Sequence, residues 1–150
     1  MTALLYDKTG GDTIYVSSES HTAAGNSSTT EQVKARCLKT QSGCDYEGTL
    51  WAAFVLNKLN SKNDIATYVP YLAALAEDNT RYFPSTFLYV IGKSSTSSDF
   101  LTDIIQRQKS NGLWDITSSP YKKYYDTSMA LLSLSSTSAE KTRALASLIG

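Results

Sequence analysis

Three carboxylates in this chain are placed to do acid–base chemistry. Glu47, Asp115 and Asp126 are the candidate acids, and Tyr124, Tyr125 and Arg81 are the phenols and guanidinium that could assist them. Glu47 follows Tyr46, and Asp126 follows Tyr124-Tyr125, each near the start of a helical pattern, so the two acids could face one cavity. A carboxylate at a helix start also satisfies free backbone N–H groups and complements the helix dipole. Capping explains both acids without further assumptions, and no catalytic residue is assigned.

The aromatic residues offer a second kind of chemistry. The chain has ten tyrosines and two tryptophans, and Trp114, Tyr121, Tyr124 and Tyr125 gather around one loop. Rings with polar tips suit glycan, peptide or protein surfaces, although the same rings also serve as packing. Trp51 and Trp114 read as packing, whereas Tyr121 and Tyr124 read equally well as surface. The candidate ligand-binding set is therefore Trp114, Tyr121, Tyr124, Tyr125, Asp126 and Glu47, with a protein, peptide or glycan as partner.

Metal and cofactor chemistry finds little support in the sequence. His21 is the single histidine and lies in a polar stretch away from Cys37 and Cys44, which does not compose a zinc site. The acidic loop at residues 77–82 brings too few carboxylates together for calcium. Gly10-Gly11 belongs to a turn rather than a phosphate-binding loop, and no cofactor is expected. Cys37 and Cys44 flank the turn-like stretch at residues 39–43 and are expected to pair as a disulfide pinning a corner between helices. Two buried free thiols are the alternative.

The elements that must position these residues are mostly helical. Residues 3–18 read as strand, turn, strand, with Thr13-Ile14-Tyr15-Val16 rich in β-branched and aromatic residues. Residues 21–29 form a polar linker in which Asn26-Ser27-Ser28 is a glycosylation sequon best read simply as loop. Thr29 or Thr30 then caps a helix through Val33, Ala35, Arg36 and Leu38. Further helices are expected at 46–60, 65–77, 85–91, 100–109, 124–135 and 139–149, with Ser138 capping the last. Pro70 falls in a late first turn or a kink, and Pro84 at a helix start, where proline is favoured. Repeated helices of this length joined by short loops suggest an array of αα-hairpins. The stretches Asp45-Tyr46-Glu47-Gly48-Thr49-Leu50 and Tyr124-Tyr125-Asp126-Thr127-Ser128-Met129 look like two copies of one unit.

The second copy carries a more specific motif. Gln108, Gly112 and Trp114 form Gln-x3-Gly-x-Trp, and Tyr125-Asp126-Thr127 follows about ten residues later. This resembles the prenyltransferase/squalene-cyclase repeat, the unit of the α/α toroid. The resemblance implies that Gln108 closes an outer helix, Gly112 allows the tight turn, Trp114 stacks over helix ends and Asp126 caps an inner helix. Residues 29–149 would then make about three hairpins, half of a six-hairpin toroid. The functional residues of catalytic relatives do not carry over: the chain has no Asp-x-Asp-Asp run, no Asp, Cys and His zinc set, and no Cys-Gly-Glu-Gln thioester run. Some polysaccharide lyases and glycosidases share the toroid and use tyrosines or paired acids, which keeps an enzyme fragment as the second reading.

Composition limits the remaining classes. Fourteen basic residues balance fourteen acidic ones, leaving no footprint for nucleic acid or an anionic membrane. No apolar run approaches the roughly 18–20 residues that span a bilayer. Abundant Ser and Thr, together with the cysteine pair, point to an extracellular or cell-surface setting. The C-terminal helical pattern looks like an excision from a larger polypeptide. The expected architecture is thus mostly α, an α/α-hairpin array or partial α/α toroid at residues 29–150, preceded by a short β-hairpin and polar linker at 1–28. The expected role is a non-catalytic binding or scaffolding module of an exported protein.

Overall fold

A computed structural model describes residues 2–7, 14–21, 35–59, 65–92 and 97–150, and it is mostly helical. Strands β1 (Thr2–Asp7) and β2 (Ile14–His21) pair antiparallel, with Leu5 opposite Val16 and Tyr6 opposite Tyr15. This is the hairpin expected from the run of β-branched and aromatic residues; its turn, the sequon and the expected cap at Thr29 or Thr30 lie outside the described residues.

The helix expected to run through Ala35, Arg36 and Leu38 does not reach them. Residues 35–37 are irregular, and Leu38–Thr40 (β3) pairs antiparallel with Gly43–Asp45 (β4) around a turn at Gln41 and Ser42. Gly43 closes that turn at φ +124°, a value that disfavours any residue with a Cβ. Cys37 and Cys44 are bonded, with Cα atoms 5.6 Å apart. The cystine therefore pins a β-hairpin, not the corner between helices that the sequence suggested. Backbone donors that a helix would have used internally go elsewhere: Arg36 N–H donates to the Thr67 carbonyl at 2.7 Å, and Leu38 N–H to Thr49 Oγ1 at 3.0 Å.

Helix α1 (Tyr46–Lys58) starts where expected, and the Asp45 side chain accepts from Gly48 N–H at 3.1 Å as its N-cap. The single helix expected over 65–77 is instead a turn followed by α2 (Val69–Ala74), with Pro70 in its first turn, and then a 3-10 helix at Glu77–Tyr82. Phe83, at φ 50°, redirects the chain into α3 (Pro84–Ile91), which Pro84 opens. Next come α4 (Ser97–Gln106), α5 (Lys122–Ser133) and α6 (Ala139–Ile149). Ser138 caps α6 as expected, its hydroxyl accepting from Lys141 N–H at 3.2 Å.

Helix α3 is the centre of the body, with Pro84, Ser85, Thr86, Phe87, Leu88 and Ile91 all buried. On one side Phe87, Leu88 and Ile91 meet Leu50 and Ala53 of α1, Leu72 of α2 and Met129 of α5. On the other, Phe83 joins Ile104 of α4, Trp114, Ala130 of α5 and Ala144 of α6. Alternate helices α1, α3 and α5 thus pack successively, while α4 lies against α3 and α6 against α5.

Candidate functional site

The loop between α4 and α5 shows what the Gln-x3-Gly-x-Trp residues do. Gln108 Nε2 donates to the carbonyls of Gly112 and Glu140, both at 2.8 Å, tying the end of α4 to the start of α6. Gly112 turns the chain at φ +79°, and a Cβ there would lie 2.7 Å from Ser147 Oγ and 2.9 Å from the Arg143 carbonyl oxygen. Trp114 is fully buried; its indole N–H donates to the Ile104 carbonyl at 2.7 Å and its backbone N–H to Thr127 Oγ1 at 3.0 Å. A ring with no exposed surface cannot contact a ligand, so Trp114 leaves the candidate binding set.

Asp126 leaves it too, and its role differs from the cap expected of it. Helix α5 begins at Lys122, so Asp126 sits in its second turn, where the N–H groups of Ser128 and Met129 belong to intrahelical bonding. The carboxylate turns back instead onto the incoming loop. Its oxygens accept from Ile116 N–H at 2.9 Å and from Ser119 Oγ at 2.7 Å. Burial pushes its pKa up from the usual carboxylate value, and these two donors pull it back in part. With 1% of its surface exposed and both oxygens occupied, Asp126 is a clamp on the loop.

Glu47, Tyr121 and Tyr125 gather on one face formed by α1 and the start of α5, with Tyr124 next to it in sequence. The Tyr121 hydroxyl donates to the Glu47 carboxylate, joining the two elements directly. The Tyr121 and Tyr125 rings lie 4.5 Å apart, and Tyr125 lies 6.4 Å from Trp51. Trp51 in turn meets Phe87 edge-on at 5.0 Å and Phe54 at 6.0 Å, which anchors the face to the core. Trp51 is 36% exposed, Tyr121 42% and Tyr124 64%. Trp51 is the member that sequence reading missed: its place in an apolar helix stripe argued for packing, and nothing local showed that the stripe runs out to the surface. The signal that could have found it is the i, i+4 spacing from Glu47, which puts the ring beside the carboxylate.

Backbone and electrostatics add to the picture. Lys122, between Tyr121 and the body of α5, adopts φ +67°, a conformation that non-glycine residues rarely take outside constrained sites. The hydrogen bond to Glu47 pushes the Tyr121 pKa up, with desolvation adding to it. Burial, reinforced by Tyr121 and Glu47, pushes Tyr125 up to about 12. Both rings are therefore neutral phenols at physiological pH. Three cations stand over neighbouring rings: Lys58 Nζ 5.3 Å from the Phe54 centroid, Arg81 4.6 Å from Tyr82 and Lys123 Nζ 5.1 Å from Tyr124.

Elsewhere, a shallow cleft of about 180 Å³ opens between the 3-10 helix, α3 and α4, floored by Phe83, Pro84 and Phe100. Its acid Asp103 is already engaged, accepting from Ser85 Oγ at 2.5 Å and from Arg107 Nε at 2.7 and 2.8 Å. Asp115 is exposed and distinct from the Asp126 clamp. Among the described residues, no group of three His, Cys, Asp or Glu side chains could hold a metal ion, and no helix is long and apolar enough to cross a membrane. No family model, curated protein or solved structure matches this chain.

Proposed function

We propose that this chain is a non-catalytic binding module of a larger, exported protein, and that it binds through the aromatic face of α1 and α5. One observation carries the reading. The Tyr125 ring meets Tyr121 at 4.5 Å and Trp51 at 6.4 Å, Tyr121 bonds the Glu47 carboxylate, and both Trp51 and Tyr121 keep a third or more of their surface exposed. Rings held in place yet left open are the usual material of recognition surfaces.

The architecture we propose is a partial α/α toroid. Successive packing of α1, α3 and α5, with α4 against α3 and α6 against α5, is compatible with an inner and an outer layer of hairpins. The Cys37–Cys44 bond supports an extracellular or cell-surface setting, since such bonds persist in oxidising compartments. The second reading, a fragment of a toroid lyase or cyclase, is favoured only by the Tyr121–Glu47 pair, which could serve as a proton-transfer couple.

The test is binding to glycan and peptide arrays by the intact chain, its Trp51→Phe variant and its Tyr121→Ala variant. The module reading expects ligands retained by the parent and lost by Tyr121→Ala at unchanged folding. Turnover of any retained ligand, abolished by Glu47→Gln, would establish the enzyme reading instead.

A further inference from the structure

The charges around the aromatic face go further than the rings alone. Lys58, Arg81, Lys122 and Lys123 are all exposed, and among the described residues none makes an ion pair. Three of them stand over Phe54, Tyr82 and Tyr124, and Phe54 and Tyr124 neighbour members of the face directly in space or sequence. Tyr82 is close enough to Tyr121 to influence it electrostatically. The face therefore has a centre of ring surfaces, phenol hydroxyls and one carboxylate, and the four cations stand beside its rings, or the rings next to them, as a discontinuous rim.

Each part selects for a property of the ligand. Ring faces favour flat C–H surface, which the faces of a pyranose supply. Glu47 spends one interaction on the Tyr121 hydroxyl, and as a carboxylate it keeps acceptor capacity for ligand hydroxyls. The cationic rim selects against a positively charged ligand and for carboxylate or sulfate groups spaced along a chain. We infer that the face recognises an anionic oligosaccharide, its sugar rings on Trp51, Tyr121 and Tyr125 and its acid groups on Lys58, Arg81, Lys122 and Lys123. This rests on the aromatic face being the binding surface. Val55, one turn beyond Trp51 on α1, is exposed on the same side, and Leu59 and Leu132 are exposed farther along; the phenol hydroxyls and the Glu47 carboxylate at the centre of the face favour a sugar over an apolar peptide.

The two tryptophans make the test direct. Trp114 is fully buried and Trp51 is not, so a change in intrinsic fluorescence on adding ligand reports Trp51. The probes are a heparin-derived hexasaccharide, a hexagalacturonate, cellohexaose as the neutral counterpart and polyglutamate as a flexible polyanion. The expected result is a fluorescence change with at least one acidic oligosaccharide, saturating below about 1 mM, the range of weak specific sites. By calorimetry, Tyr121→Ala should weaken that binding about tenfold, the step corresponding to about 1.4 kcal/mol. Lys122→Gln with Lys123→Gln should weaken it severalfold and flatten its dependence on salt. These exposed substitutions avoid reliance on Trp51, whose removal disturbs the packing on Phe87. Failure of both acidic oligosaccharides to bind overturns the ligand class, as does equal affinity for cellohexaose or for polyglutamate. Peptides retained on arrays and lost with Tyr121→Ala would, in those cases, keep the module and discard the sugar.

Discussion

The carboxylate of Asp126 and the backbone N–H of Ile116 meet at 2.9 Å across ten residues of chain, so a side chain of α5 fixes the path of the loop that leads into it. Ser119 completes the clamp at 2.7 Å. Asp126→Ala would leave a buried N–H and a buried hydroxyl without their acceptor. The expected loss is about 2–6 kcal/mol of unfolding free energy, since each of the two stranded buried donors costs roughly 1–3 kcal/mol. Urea denaturation measures it. A loss under about 0.5 kcal/mol, the usual range for a surface change, would show that the clamp is not made in solution.

Trp114 adds a second tie through the same segment. Its ring is sealed among Phe83, Ile104, Ala130 and Ala144, and its indole N–H holds the Ile104 carbonyl at 2.7 Å. Trp114→Ala should cost about 3–5 kcal/mol, as for other buried aromatics. Trp114→Phe, which keeps most of the ring volume but strands that carbonyl, should cost less. Equal losses for the two variants in thermal or urea unfolding would show that the hydrogen bond, and not the packing, dominates.

These two residues show how far the sequence was legible. The motif of Gln108, Gly112 and Trp114 could be read because each residue answers a local need: a donor for loop carbonyls, a positive φ and a plug for a gap. Asp126 could not be read correctly, because its partners are set by where α5 begins. The sequence placed that start at Tyr124 when it falls at Lys122. A shift of two residues moves a carboxylate from the first turn, where free N–H groups are in reach, into the second, and changes every group it can reach. The same limit hid the β3–β4 hairpin, whose strands of three residues each are too short to show alternation. It also hid Trp51, whose exposure depends on which helices stop short of covering it.

Gly112 offers a test that separates backbone conformation from crowding. At φ +79° an alanine pays about 1–2 kcal/mol for the left-handed conformation alone. Its Cβ would also press on Ser147 Oγ at 2.7 Å and on the Arg143 carbonyl oxygen at 2.9 Å. Gly112→Ala should therefore destabilise by about 2–3 kcal/mol, the left-handed penalty plus a modest overpacking term. Adding Ser147→Ala should recover only part of that, because the Arg143 contact is backbone and cannot move aside. Full recovery in the double variant would assign the whole effect to the serine.

Tyr125 gives the aromatic face its own signature in alkali. Burial raises its pKa from 10.0 to about 12, with Tyr121 and Glu47 adding to the rise. In that interval the folded protein holds a proton that the unfolded chain releases. Stability then falls as pH rises, because the slope follows the difference in bound protons between the unfolded and folded states. The contribution is fully present below about pH 10 and is lost as pH climbs through about 12. Tyr125→Phe has no such proton, so its denaturation midpoint should decline less steeply over that window than the parent's. Difference absorbance of the phenolate should likewise show one late-titrating tyrosine in the parent that the variant lacks. Parallel stability curves for parent and variant would mean that Tyr125 stands in water, and that the face joining Trp51 to Tyr121 is not assembled.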